Sequence, residues 1–145
     1  MTGLAIALCG LLATATAATA ESLIEAGEWR VTSSAIINGA AQPAQAKSRC
    51  VTPEQAENVA ATFGPVSGGT VNSDCATPTV EAAGKTLKWR LQCRGQLDID
   101  ATGEFTFDNP HHYTAIITSK GKMAGALISD VKTVIEAERV GDCTQ

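Results

Sequence analysis

Four cysteines, Cys50, Cys75, Cys93 and Cys143, punctuate a chain of short alternating apolar runs. Two of them stand nine residues to either side of Gly84 in the stretch CATPTVEAAGKTLKWRLQC. After Gly84, Leu87, Trp89 and Leu91 alternate with Lys88, Arg90 and Gln92, the period-two pattern of a half-buried strand. A glycine at the bend supplies the positive φ of a hairpin turn. Folding about it brings Cys75 opposite Cys93, within reach of a disulfide, and by difference Cys50 pairs with Cys143. Flat alternation would place Cys75 on the face of Thr77, Thr79 and Glu81, and Cys93 on the face of Leu87, Trp89 and Leu91. One strand must therefore bulge, and Pro78 marks the place. In a loop-closure account the short bridge contributes about 3 kcal/mol and the long one about 4–5 kcal/mol, a large share of the roughly 5–15 kcal/mol that holds a domain together.

Of the five cysteines, four lie beyond the first 20 residues, and an even number in an exported chain reads as a disulfide framework; the start of the chain reads as an export signal. The first 20 residues carry no charged side chain and no histidine. Leu4 to Leu12 is apolar, too short to span a bilayer, and Ala18-Thr19-Ala20 reads as an A-x-A cleavage site. Residues 1–20 are expected to be a signal peptide and residues 21–145 a single domain. Leu8 stands before Cys9, where a lipidated cysteine would follow a small residue, so lipidation is not expected. The net charge is −4 with both signs scattered, which argues against binding nucleic acid or an anionic membrane by bulk electrostatics.

The remaining pattern is strand-like. Trp29, Val31 and Ile37 share a face of a strand that ends at Asn38-Gly39, a strong turn signal. Gln45 to Val51 is extended. Thr52-Pro53-Glu54-Gln55 is a helix start with a capping box, opening one short helix over residues 53–61. Residues 64–74, rich in Gly, Ser, Asn and Pro, read as a loop. Beyond the cysteine hairpin, Leu97 and Ile99, then Phe105 and Phe107, alternate with polar residues about a Thr102-Gly103 turn. Asn109-Pro110 breaks again, Tyr113 to Thr118 is extended, and Lys120-Gly121-Lys122 turns. Met123 to Ile128 is weakly extended, and Val131 to Val140 forms the last strand. The expected fold is all-β with one short helix: an antiparallel meander of about eight strands, barrel-like or sandwich, stapled by disulfides.

Chemistry-bearing motifs are sparse. His111-His112 are neighbours that would point to opposite faces of a strand, unsuited to sharing one metal. Asp98 to Gly103 opens like a calcium loop, but its twelfth position is Asn109 rather than an acid. No CxxC pair supports a cysteine metal site, and no nucleophile elbow, zinc-protease helix, phosphate loop or dinucleotide fingerprint is present. Trp29 and Trp89 sit on apolar strand faces and read as core. No catalytic, cofactor or metal residue is assigned, and no enzymatic activity is expected. Were there a hydrolase, His111 or His112 would be its base.

Four stretches together resemble a known family: Ala26 to Thr32, Arg49 to Ala56, Leu87 to Cys93, and Arg139 to Cys143. Their order and spacing are similar to those of the bacterial exported family catalogued as domain of unknown function 3617, over nearly all of residues 21–145. That family usually has Leu or Lys where Glu28 stands, and its late strands are often richer in Met. This chain has Ala124, Ala126 and Val134 there. The resemblance implies an exported, disulfide-bonded, β-rich domain of a Gram-negative bacterium, and supplies neither an activity nor catalytic residues.

The functional expectation is a periplasmic or secreted, non-enzymatic domain binding a small apolar molecule or an envelope component, since barrels of about eight strands can hold one small ligand. The alternative is a structural or protein-interaction module of the cell envelope, with a filled core and an exposed apolar patch or open sheet edge.

Overall fold

The computed structural model describes residues 22–66 and 73–144; the leader-like segment lies outside them. Nine strands form one antiparallel sheet: β1 (Gly27–Ile37), β2 (Ala40–Ala41), β3 (Gln45–Val51), β4 (Ser73–Cys75), β5 (Thr79–Ala83), β6 (Thr86–Gly95), β7 (Leu97–Asn109), β8 (His112–Met123) and β9 (Ala126–Gly141). The order across the sheet is β2-β1-β9-β8-β7-β6-β4, with β3 also on β1 and β5 also on β6. The meander is as expected, but it neither closes into a barrel nor splits into a sandwich. It is one open sheet, edged by β2 and β3 on one side and by β4 and β5 on the other.

Both disulfides are formed, Cys75 with Cys93 and Cys50 with Cys143. The nine-residue symmetry about Gly84 has a two-part origin. The turn is the pair Gly84-Lys85, with Ala83 opposite Thr86 and Gly84 at φ +55°. Between β5 and β4 the register slips by one residue, from Thr79 opposite Arg90 to Cys75 opposite Cys93. The slip spans Ala76-Thr77-Pro78, and it turns Cys75 onto the face that Cys93 shares with Trp89.

Two strands run through predicted turns. Thr102-Gly103 lies within β7, where Gly103 is paired with Trp89 on one side and Ile117 on the other. The Trp89 indole lies flat on Gly103, and a Cβ there would stand 2.3 Å from its Cε2. The glycine thus serves a close approach rather than a bend. Trp89 Nε1 is buried with no acceptor among the described residues. That orphan costs about 1–3 kcal/mol, which offsets part of the roughly 4–6 kcal/mol that burying so large a ring contributes. Likewise Gly121 is buried within β8. The chain reverses three residues later at Ala124-Gly125, with φ of 50° and 79°, and β9 accordingly starts at Ala126.

The helix is two helices, α1 (Pro53–Glu57) and α2 (Val59–Phe63). Thr52 and Gln55 form the predicted capping box. Asn58 interrupts the pattern: its backbone closes α1 and its side-chain oxygen accepts from Ala61 N at 3.2 Å, opening α2. Asparagine competes with the helix in this way because its short amide reaches nearby backbone.

The concave face carries the core. Leu87, Phe105 and Ala115 make one row across the strands, and Phe107, Tyr113 and Ala137 the next. Phe63 of α2 covers them, its ring 5.1–5.7 Å from those of Tyr113, Phe105 and Phe107, with the Arg49 guanidinium over it. Ile24 and Trp29 are fully buried beside them, and Trp29 Nε1 donates to the Glu25 carbonyl at 3.1 Å.

Gly103→Ala is expected to cost about 1–3 kcal/mol by overpacking in a chemical denaturation series, and most of that cost should vanish in a Trp89→Leu background. Tyr113, the only tyrosine, has its pKa raised by burial, with Arg49 opposing. The unfolded chain ionises at pH about 10 while the folded chain keeps its proton, so stability is lost as pH rises beyond that point. Tyrosinate absorbance should therefore appear above pH 10 together with unfolding; independent, earlier ionisation would contradict the burial.

Candidate interaction surface

Among the described residues one end of the sheet is covered and the other is bare. The covered end gathers α1, α2, Ile24 and the Pro110-His111 turn. The bare end gathers the turns at Asn38-Gly39, Gln96 and Ala124-Gly125. There β1 stops with Ile37 opposite Val131. Residues 126–129 of β9 run past it, paired to β8 on one side and with no strand on the other among the described residues. Asn38 marks the border: it donates to the Asp130 carbonyl and its side chain accepts from Asp130 N, both at 2.8 Å.

The projecting hairpin is apolar in an unusual way. Met123, Ala124, Gly125, Ala126, Leu127 and Ile128 are consecutive, all exposed, and carry no polar side chain. Met123, Leu127 and Ile128 are each about half exposed, at 51%, 52% and 49%. Met123 lies opposite Leu97, Leu127 lies opposite Lys122, and the register shifts between Gly121 and Lys122, leaving Ile128 as the extra residue. Apolar side chains thus leave the tip on both faces of the ribbon, so the domain's own core cannot bury them. Exposed runs of this kind are unfavourable unless they meet a partner. Ile37, 41% exposed, extends the patch across the end of the sheet.

Charge near the tip is balanced. Lys120 Nζ meets Asp130 at 3.1 Å. Farther along the convex face Lys88 meets Glu104 at 3.0 Å and Arg94 meets Asp100 at 2.9 Å. Hydrogen bonds from Arg94 and Gln92 hold the Asp100 carboxyl below the usual carboxylate range. These exposed pairs add little stability and describe a solvated face.

The residues flagged by sequence each meet their own neighbours. His111 lies in the turn, its Nε2 2.9 Å from Glu25, while His112 opens β8 with Nδ1 2.5 Å from Asp108 and Nε2 3.5 Å from Glu136. Asp98 accepts from Gly95 N at 3.1 Å and Asp100 meets Gln92 and Arg94, so the calcium-loop segment is strand. Among the described residues no group of three or more His, Cys, Asp or Glu is placed to hold a metal ion. The apolar tip went unread because Gly121 looked like the turn. A signal was nonetheless present: six residues without a polar side chain after Lys122.

Ala124 adopts the left-handed conformation that favours glycine or asparagine at this position of a tight hairpin. Ala124→Asn should raise stability by about 1 kcal/mol in thermal or denaturant unfolding; a fall would mean that the turn is built differently.

A family model described as protein of unknown function (DUF3617) matches residues 24–143. No curated protein and no solved structure matches the chain.

Proposed function

Because the chain belongs to the DUF3617 family, whose function is unknown, we propose its role from its own geometry. It is a non-enzymatic, exported domain of the cell envelope that engages a partner protein through the tip of the β8–β9 hairpin. The observation that carries this reading is the run of six consecutive exposed residues without a polar side chain, Met123 to Ile128. The leader-like first 20 residues and the two disulfides support an exported location.

A protein fits the tip better than a lipid surface does. Beside the apolar side chains, residues 126–129 offer an unpaired ladder edge. A partner strand can satisfy those backbone groups, whereas a hydrocarbon phase leaves them unpaired at several kcal/mol each. Lys120 is engaged by Asp130 and Lys122 stands opposite Asp98 across β7 and β8, so the two cations beside the tip each have an acid next to them. The reading in which the domain binds a small apolar molecule drew on export, on the absence of catalytic motifs and on a barrel interior. We give that reading less weight because the sheet is open, with grooves such as that lined by Thr79, Glu81, Lys88, Trp89 and Arg90 on its surface.

Paired Met123→Asp and Leu127→Asp substitutions should leave stability within about 0.5 kcal/mol, as for other exposed positions. They should abolish retention of a specific protein captured by the wild-type domain from envelope extract. Equal retention by the variant, or no retention by either, contradicts the proposal.

A further inference from the structure

The two disulfides occupy different surroundings. Cys93 is 2% exposed, and its partner Cys75 is half-buried on the short strand β4. Cys50 is exposed on the edge strand β3, and Cys143 is half-buried just beyond β9. Cys50 and Cys143 together line an open groove of about 350 Å³, whose walls include Ala26, Gly27, Val51 and Pro53. The approach is apolar, and Asp142 is the only charged side chain in it. An attacking sulfur needs access to the bond along its axis, and this groove opens onto Cys50–Cys143.

We propose that Cys50–Cys143 is a site of thiol–disulfide exchange with a protein dithiol, while Cys75–Cys93 is structural. The partner's thiolate bonds to Cys50 Sγ, the Sγ–Sγ bond breaks, and Cys143 leaves as a thiolate that takes up a proton. The partner's second thiolate then attacks the mixed disulfide. Cys50 leaves as a thiolate and is protonated in turn. The partner's dithiol is oxidised to its disulfide, and two electrons and two protons pass to the Cys50 and Cys143 pair.

Contacts other than the disulfide hold both ends of this edge. β3 pairs with β1 over seven residues, from Gln45 opposite Ser33 to Val51 opposite Gly27, and Val51 is 1% exposed. What is released is the tail after Gly141, held otherwise by the Arg139 guanidinium on Asp142 at 2.6 Å. Reduction therefore loosens one edge of the sheet and the chain leading into α1, without touching the Cys75 edge.

The test uses the oxidised full chain in native buffer. It is exposed first to dithiothreitol with quenching by alkylation and peptide mapping, then to a reduced thioredoxin lacking its resolving cysteine. Cys50 and Cys143 should be alkylated at least about tenfold faster than Cys75 and Cys93, with circular dichroism retained, and the thioredoxin adduct should map to Cys50. Labelling of all four cysteines at a single rate matching global unfolding overturns the proposal. So does earlier labelling of Cys75 and Cys93, or the absence of a thioredoxin adduct while the protein is folded.

Discussion

An open antiparallel sheet with one apolar face must have that face covered, and here the visible cover is slight. Two helices of five residues each cross the concave side and deliver one large side chain, Phe63, onto Phe105, Phe107 and Tyr113. Ile24 and Trp29 complete the seal at that end. The capping box at Thr52 and the second cap at Asn58 matter for this reason: such short helices are not stable alone, and their termini need satisfied groups to hold Phe63 in place.

A sheet that does not close has two edges, and each edge carries one disulfide. Cys75–Cys93 ties the short β4 to β6. Cys50–Cys143 ties β3 to the chain leaving β9, the strand on the far side of β1. Edge strands are the least restrained parts of a sheet and the most prone to pairing with other chains. Cross-linking both edges fixes the register of the strands they join, and a further stretch of open ladder lies on β9 near the β8–β9 tip among the described residues. The division of exposure between the two bonds then gives the edges different sensitivity to thiols.

Much of this was legible in the sequence for a physical reason. Period-two alternation and Asn-Gly or Gly-containing turns are local signals, so the strands, the Gly84 hairpin and the helix start could be read directly. The cysteine pairing followed from hairpin geometry, and the required bulge was legible in Pro78. What could not be read was where glycine serves packing instead of turning. Gly103 and Gly121 look like turn residues, yet one accommodates the Trp89 ring and the other a buried strand position. The true turn at Ala124 carries a residue that turns disfavour. Closure was also illegible, because an open sheet plugged by a helix and a closed barrel share the same alternation. The candidate surface lay hidden by the same misplacement: with the turn set at Gly121, Met123 to Ile128 looked like a weak strand, whereas it is an exposed tip.

The functional account rests on that tip being a contact for another protein. The most direct measurement is site-specific photo-crosslinking in the envelope, with the photoreactive residue placed at Leu127 and, as a control, at Thr102 on the solvated convex face. The account predicts one protein adduct of defined mass from position 127 and none from position 102. No adduct from 127, or the same adducts from both positions, would contradict it.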